Sequence, residues 1–301
     1  MSSAQPAFGT MFRQLIELGV VEINTESLDA GIERRLKEFW ESMSCPQCGH
    51  QSIVTWEELD RIWCRDCNFK PVFTYGTPFH EKHLTAGEVL LAFTLYADTL
   101  LSINQIAPFL GRAYRTVHTA IREVEAAVQR GFPVVWSLLD QTIDGPTQVD
   151  ESGKVCSGYK GEPPRNSRSR GGLSQSGRSR WRRHHGDQLT LVAACRDSLR
   201  VIRGQLGIDY SGDLEPVIQE AEELSQPLRE VWTDDHQAYR EMERDHRTVV
   251  HKETYVSPEG IHINQAECLF SFVQPWLRKF RGLSKQGLEQ AAHTFGIVRS
   301  L

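Results

Sequence analysis

The sequence predicts a mixed α/β chain in which an α/β domain follows a small cysteine-bearing ribbon and a helical segment. Three observations carry that reading. Two CxxC pairs, Cys45-Pro-Gln-Cys48 and Cys64-Arg-Asp-Cys67, flank fifteen residues that include the β-type Trp56, Ile62 and Trp63. From Leu84 to Gly131 apolar residues recur every three or four positions, the helical period. After Pro146 the period shortens to β-type runs with one helical segment, DLEPVIQEAEEL, set between two of them.

Taken in order, residues 10–43 read as two short helices, with Met11, Leu15 and Leu18 and then Leu28, Ile32 and Leu36 at helical spacing. The ribbon follows directly. In the helical segment, breaks at Leu101-Ser102 and Leu110-Gly111 divide three helices. Ser102 caps the second, the Gly111 turn starts the third, and Gly131 with Pro133 close it. The runs TQVDES, QLTLVAACRD, LRVIRGQL, REVWTDD and RTVVHKE are strands, with one helix after the third strand and another after the fourth. Helical text resumes at about His262. At roughly 100 to 200 residues per domain, 301 residues favour two or more domains. The predicted parts are a helical lead-in over 1–44, a ribbon over 45–80, a helix-turn-helix segment over 81–132 and an α/β domain over 140–301. An arginine-rich insertion at 162–186 interrupts the last of these.

Composition narrows the function classes. With 34 Lys and Arg against 39 Asp and Glu, the formal net charge is −5, which excludes a uniformly basic coat and leaves local charge to be read. No run of about 18 apolar residues and no secretory leader stands out, so membrane partners are not expected. The expected location is the cytoplasm, in association with the nucleoid. Seven cysteines, an odd number, argue against a disulfide framework. Cys156, Cys195 and Cys268, standing alone, read as small buried hydrophobes.

The spacing C-x2-C-x15-C-x2-C fits one structural zinc ion held by Cys45, Cys48, Cys64 and Cys67, because each CxxC turn aims two sulfurs at one tetrahedral centre. Four thiolates leave no open position for chemistry. Arg112, Tyr114, Arg115 and His118, at the start of the third helix of the helix-turn-helix, are placed to meet double-stranded DNA. The insertion Arg165–Arg183 holds seven arginines and no acid; Arg168, Arg170, Arg178, Arg180, Arg182 and Arg183 are candidates for phosphate contact.

Asp150 and Asp234 each end a β-type run, and Asn264 and Glu267 open a long helix, so oxygen ligands from two strands and a helix could converge. Such a set suits Mg²⁺ or Mn²⁺. Two ions about 4 Å apart would activate a water or 3′-hydroxyl at a phosphodiester. Among the histidines, His184, His185, His236, His246 and His251 lack any paired ligand spacing. His262, beside the third ligand, is a DNA-contact candidate.

These blocks in their order resemble the DDE-type insertion-sequence transposases with an N-terminal zinc ribbon, the ISXO-two-like group. The blocks are CPQCGH and CRDC, Val149-Asp150-Glu151 followed by Gly158-Tyr159-Lys160-Gly161, the Ser/Arg/Gly insertion, Thr233-Asp234 with Ala238-Tyr239, and His262-Ile263-Asn264 with Glu267 and Arg281-Gly282-Leu283-Ser284-Lys285. The resemblance implies a ribonuclease-H-like catalytic domain, with Asp150 and Asp234 as the first two magnesium ligands and either Glu267 or Asn264 as the third. Glu267 is favoured because a carboxylate binds Mg²⁺ more strongly than an amide. The implied enzyme binds the terminal inverted repeats of its element, cleaves and joins DNA, works as a homo-oligomer on element ends and target DNA, and takes no small-molecule substrate.

The chain departs from the group at Gln274, where a basic residue is usual, at Pro275, which should kink or break the helix, and at Ser152-Gly153-Lys154. Those departures leave open a catalytically degenerate relative acting as a sequence-specific DNA-binding or regulatory protein. A stand-alone metal nuclease, which would share the acids without strand transfer, is a further alternative.

Overall fold

The computed structural model describes residues 25–301 apart from 57–58, 60, 140–142, 144, 153–188, 207–213, 226–229, 236–238, 240–245, 251–253 and 281–284. The first predicted helix, the arginine-rich insertion, Cys156, His184, His185, His236 and His251 lie outside the described residues. So does most of the helix predicted between the last two strands. The chain divides into two compact units, 1–127 and 128–301.

In the first unit, helix α1 (Glu26–Ser42) buries Trp40, whose indole Nε1 donates to the Phe73 carbonyl at 2.8 Å. Trp40, Ile62 and Phe73, flanked by Leu36 and Ile53, form a small core. It seals one face of the antiparallel hairpin β1 (Ile53–Trp56) and β2 (Arg61–Cys64). So small a core calls for a staple. Helix α2 (Ala86–Asp98) starts at a capping box in which Thr85 and Glu88 satisfy each other's backbone N–H groups. Ser102 and Gln105 do the same for α3 (Ile103–Phe109). Gly111, at φ +65°, supplies the left-handed turn into α4 (Tyr114–Leu138).

Helix α4 runs seven residues past the stop predicted at Gly131 and passes through Pro133. The reason is burial. Phe132 and Trp136 lie in the core of the second unit, and Trp136 Nε1 donates to the Leu224 carbonyl at 2.6 Å. Burying each aromatic contributes up to about 3 kcal/mol. Together they offset a helix cost of about 1 kcal/mol for the glycine and about 3 for the proline.

The second unit holds a five-stranded sheet in the order β5-β4-β3-β6-β7. Its strands are β3 (Thr147–Ser152), β4 (Leu189–Arg196), β5 (Leu199–Leu206), β6 (Val231–Asp234) and β7 (His246–Val249). The β3–β4 and β4–β5 pairs are antiparallel, and β3–β6 and β6–β7 are parallel. Asp197, at φ +49°, makes the tight β4–β5 turn, a backbone region that Asp tolerates better than most residues.

Helix α5 (Glu215–Leu224) sends Val217, Ile218 and Ala221 against Val149, Val192, Ala194, Val201 and Val231. Those strand residues share one face by the two-residue alternation, so Gln148 and Asp150 point to the other. Helix α6 (Asn264–Leu277) lies on that second face, where the Gln265 N–H donates to Gln148 Oε1 at 2.8 Å. Helix α7 (Lys285–Ser300) packs along β5, and Gly296 lets its backbone approach the Arg200 carbonyl, where any Cβ would sit 2.8 Å away. Pro275 does not break α6, which continues two residues beyond it, with Val273, Trp276 and Leu277 buried on either side of the proline.

Candidate functional site

Two groups of the predicted site residues can be placed, the cysteines in the first unit and the acids in the second. In the first unit the four predicted cysteines come together, with one ligand atom from each lying within 4.8 Å of all the others. The Sγ atoms of Cys45 and Cys67 are 3.7 Å apart and those of Cys48 and Cys64 are 3.6 Å apart. A tetrahedral ion with Zn–S bonds of about 2.3 Å requires sulfurs about 3.8 Å from one another, so the donor set and its spacing fit one zinc ion.

The hairpin explains the geometry. Cys64 ends β2, Asn68 turns the chain at φ +61°, and Gly49 does so at φ +78° beside the first pair. Burial works against ionising the Cys45 thiol, but the backbone N–H groups of Cys48 and Gln47 outweigh it and bring the thiol down to about 7. Cys48 is pushed up to about 12: the His50 backbone favours its thiolate, but burial and the other three thiols oppose it more strongly. Four thiols crowded without a cation cannot all ionise. No described cysteine is in a disulfide. Cys195 is buried as predicted, whereas Cys268 is exposed on α6 and is not a core residue.

In the second unit the register places the acids. Thr147 pairs with Val231 and Gln148 with Trp232, which sets Asp150, two residues before the end of β3, level with Asp234 at the end of β6 and on the same face. Helix α6 brings Glu267 over that face within electrostatic reach. Asp150 is pushed up to about 7, first by burial and then by the charges of Glu151, Asp234 and Glu267, against a 2.9 Å hydrogen bond from the Glu151 N–H that holds it down. Negative charge is poorly tolerated here, as in a site built for a cation. The acids stand wider apart than the four thiols, whose cluster is the group within metal reach among the described residues. Glu267 is half-buried and Asn264 exposed.

Several supporting contacts were not anticipated. The Tyr239 hydroxyl donates to Glu151 Oε2. Thr233 Oγ1 lies 2.6 Å from His246 Nε2, and burial lowers the pKa of His246. The His262 ring meets Trp232 edge-on at 5.4 Å, and its Nδ1 is buried with no hydrogen-bond partner among the described residues. Alternation along β3 could have flagged Gln148 beside Asp150. Nothing local ties Tyr239 to Glu151.

At the start of α4, Tyr114 and Arg115 are exposed and His118 is half-buried, its ring 5.5 Å from that of Tyr114. Burial and the Arg122 charge hold the His118 pKa below its usual value. Arg112 is already engaged, with its guanidinium 2.8 Å from Glu88 of the α2 capping box. No helix among the described residues is long and apolar enough to cross a membrane.

Comparison with known proteins agrees with these features. Residues 160–290 match the ISXO2-like transposase domain, a span that includes Asp234, Asn264 and Glu267 and begins ten residues after Asp150. The chain is 26% identical over 265 residues, 85% of each protein, to a Halobacterium salinarum protein described as an uncharacterized protein in transposable element ISH50. No solved structure matches the chain.

Proposed function

The chain belongs to the insertion-sequence transposases with an ISXO2-like domain, and from that premise we propose that it binds the terminal repeats of its element and catalyses metal-dependent strand cleavage and strand transfer. The observation that carries the chemical part is the level placement of Asp150 and Asp234 on adjacent parallel strands, with Glu267 bearing on the charge of Asp150. The mixed sheet with acids at its strand ends supports a ribonuclease-H-like catalytic domain.

Asp150, Asp234 and Glu267 would hold the divalent cations; exposed Asn264 sits at the rim. Bound Mg²⁺ or Mn²⁺ supplies an activated water or 3′-hydroxyl and charge neutralisation at the leaving oxygen. The side chains themselves gather negative charge on one face, fix its position through a sheet and a helix, and limit access of water by burial. Tyr114 and Arg115, at the first turn of the third helix of a helix-turn-helix, would meet DNA, with His118 behind them. Arg112 instead braces the fold against Glu88. The arginines of the insertion add sequence-independent phosphate contacts, and His262 faces DNA next to the acids. Handling two element ends together calls for a homo-oligomer.

The test is cleavage and joining of labelled DNA carrying the element's own ends, with Mg²⁺ or Mn²⁺, by wild type and Asp234→Asn. Metal-dependent 3′ nicks and joined products that vanish in the variant are expected. Tight binding to the ends without cleavage by wild type would overturn the catalytic reading in favour of a DNA-binding remnant.

A further inference from the structure

The β3–β6 ladder is short for what it must hold. Its backbone pairs are Thr147 with Val231 and Gln148 with Trp232, so Asp150 and Asp234 lie two residues beyond the last pair. Each acid-bearing end is held on its outer side, β3 by β4 as far as Ser152 and β6 by β7 as far as Asp234. Two like charges at the open end of a short parallel ladder push the strands apart. A tie is needed across that gap.

Tyr239 makes one. It follows Asp234 by five residues, its ring is 1% exposed in the core beside Val149 and Val231, and its hydroxyl donates to the carboxylate of Glu151, the residue next to Asp150. The bond thus links the chain leaving β6 to the end of β3. It lies on the α5 side of the sheet, opposite the face that carries the acids, so it cannot be a ligand contact. His246 packs 6.4 Å from the Tyr239 ring and holds Thr233, the residue before Asp234, by its 2.6 Å contact.

We propose that Tyr239 is a positioning residue that sets the separation of Asp150 and Asp234 through its hydroxyl bond to Glu151. The proposal rests on the reading of those acids as a divalent-metal site. Glu151, adjacent in sequence to a ligand, is on this account a strut and not a fourth ligand.

The experiment is titration of the zinc-loaded full chain with Mn²⁺, followed by the electron paramagnetic resonance signal of free Mn²⁺, with Asp150→Asn as reference. Tyr239→Phe keeps the ring and removes the bond; its Mn²⁺ affinity should fall about tenfold, the size expected for a hydrogen bond to a charged acceptor. Glu151→Gln removes the charge but keeps an acceptor oxygen and should stay within about threefold of wild type. Glu151→Leu should match Tyr239→Phe, and the double variant Tyr239→Phe/Glu151→Leu should be no weaker than either single variant.

Wild-type affinity in Tyr239→Phe, or a double variant that shows the product of the two single losses, would overturn the proposal while leaving the metal site intact. Absence of any Asp150-dependent Mn²⁺ site in wild type would overturn the metal reading itself, and the role of Tyr239 with it. The Asp150→Asn reference separates the two failures.

Discussion

The thiol cluster and the acid cluster solve opposite problems. Four soft donors come from the two ends of one hairpin, within 23 residues of sequence, and close on a point with no room for a further ligand. The acids come from β3, β6 and α6, lie up to 117 residues apart, and stand more widely spaced on one face of the sheet, where Asp150 resists ionisation. A site built locally can be closed and structural. A site assembled from distant elements inherits its geometry from the whole sheet and, on the proposed reading, would keep positions open for chemistry. The difference predicts that metal loss unfolds one and merely silences the other.

The largest expected effect is at the thiols. Stripping zinc with a chelator, or replacing Cys48 with Ser, should remove a binding free energy of about 10 kcal/mol or more and abolish the folded ribbon, seen as lost hydrogen-exchange protection over 45–80. The same chelator should leave the sheet of the second unit protected. Unfolding of both units, or of neither, would erase the contrast.

Next comes Asp234→Asn, which should cut strand cleavage about ten-thousandfold, near 5.5 kcal/mol, with DNA binding unchanged. Glu267→Gln should behave alike. Asn264→Ala should stay within about tenfold, and the reverse order would move the third ligand to Asn264.

The third effect is on stability. The folded carboxyl of Asp150, at about 7, lies above the unfolded value of about 4. Stability from this group is therefore present below pH 4 and lost as pH rises to 7, by about 4 kcal/mol in the divalent-free protein. Asp150→Asn should unfold at higher denaturant than wild type at pH 8, and the gap should close at pH 4. Saturating Mg²⁺ should stabilise wild type and not the variant.

The smallest effect concerns DNA. Arg115→Ala should weaken binding about tenfold and lower the salt slope by about one, whereas Arg112→Ala should leave the slope nearly unchanged because its partner is Glu88. Equal slopes for the two would place Arg112 on DNA after all.

Much of this was legible in the sequence where the signal is local. The CxxC spacing, the caps at Ser102 and the Gly111 turn, and all five strands follow from short-range pattern. The helix stop at Gly131 failed because Phe132 and Trp136 have a core to fill that no local rule reveals. Pro275 failed to break α6 for the same reason, with buried Val273 and Trp276 beside it. Cys268 looked like a core residue in apolar text, yet helical phase turns it outward between buried Ala266 and Leu269. The acids could be named from their strand-end settings and the family resemblance. Their level placement depends on a parallel pairing between strands 84 residues apart, and the Tyr239–Glu151 tie on side-chain packing behind it.

The central claim, that Asp150, Asp234 and Glu267 form an open divalent-metal site, is tested most directly by crystals of the zinc-loaded chain soaked in Mn²⁺ and measured at the manganese absorption edge. The account predicts anomalous density bounded by these three carboxylates, separate from the zinc signal at the four cysteines. Manganese bound elsewhere, with the three acids bare at saturating Mn²⁺, would contradict it.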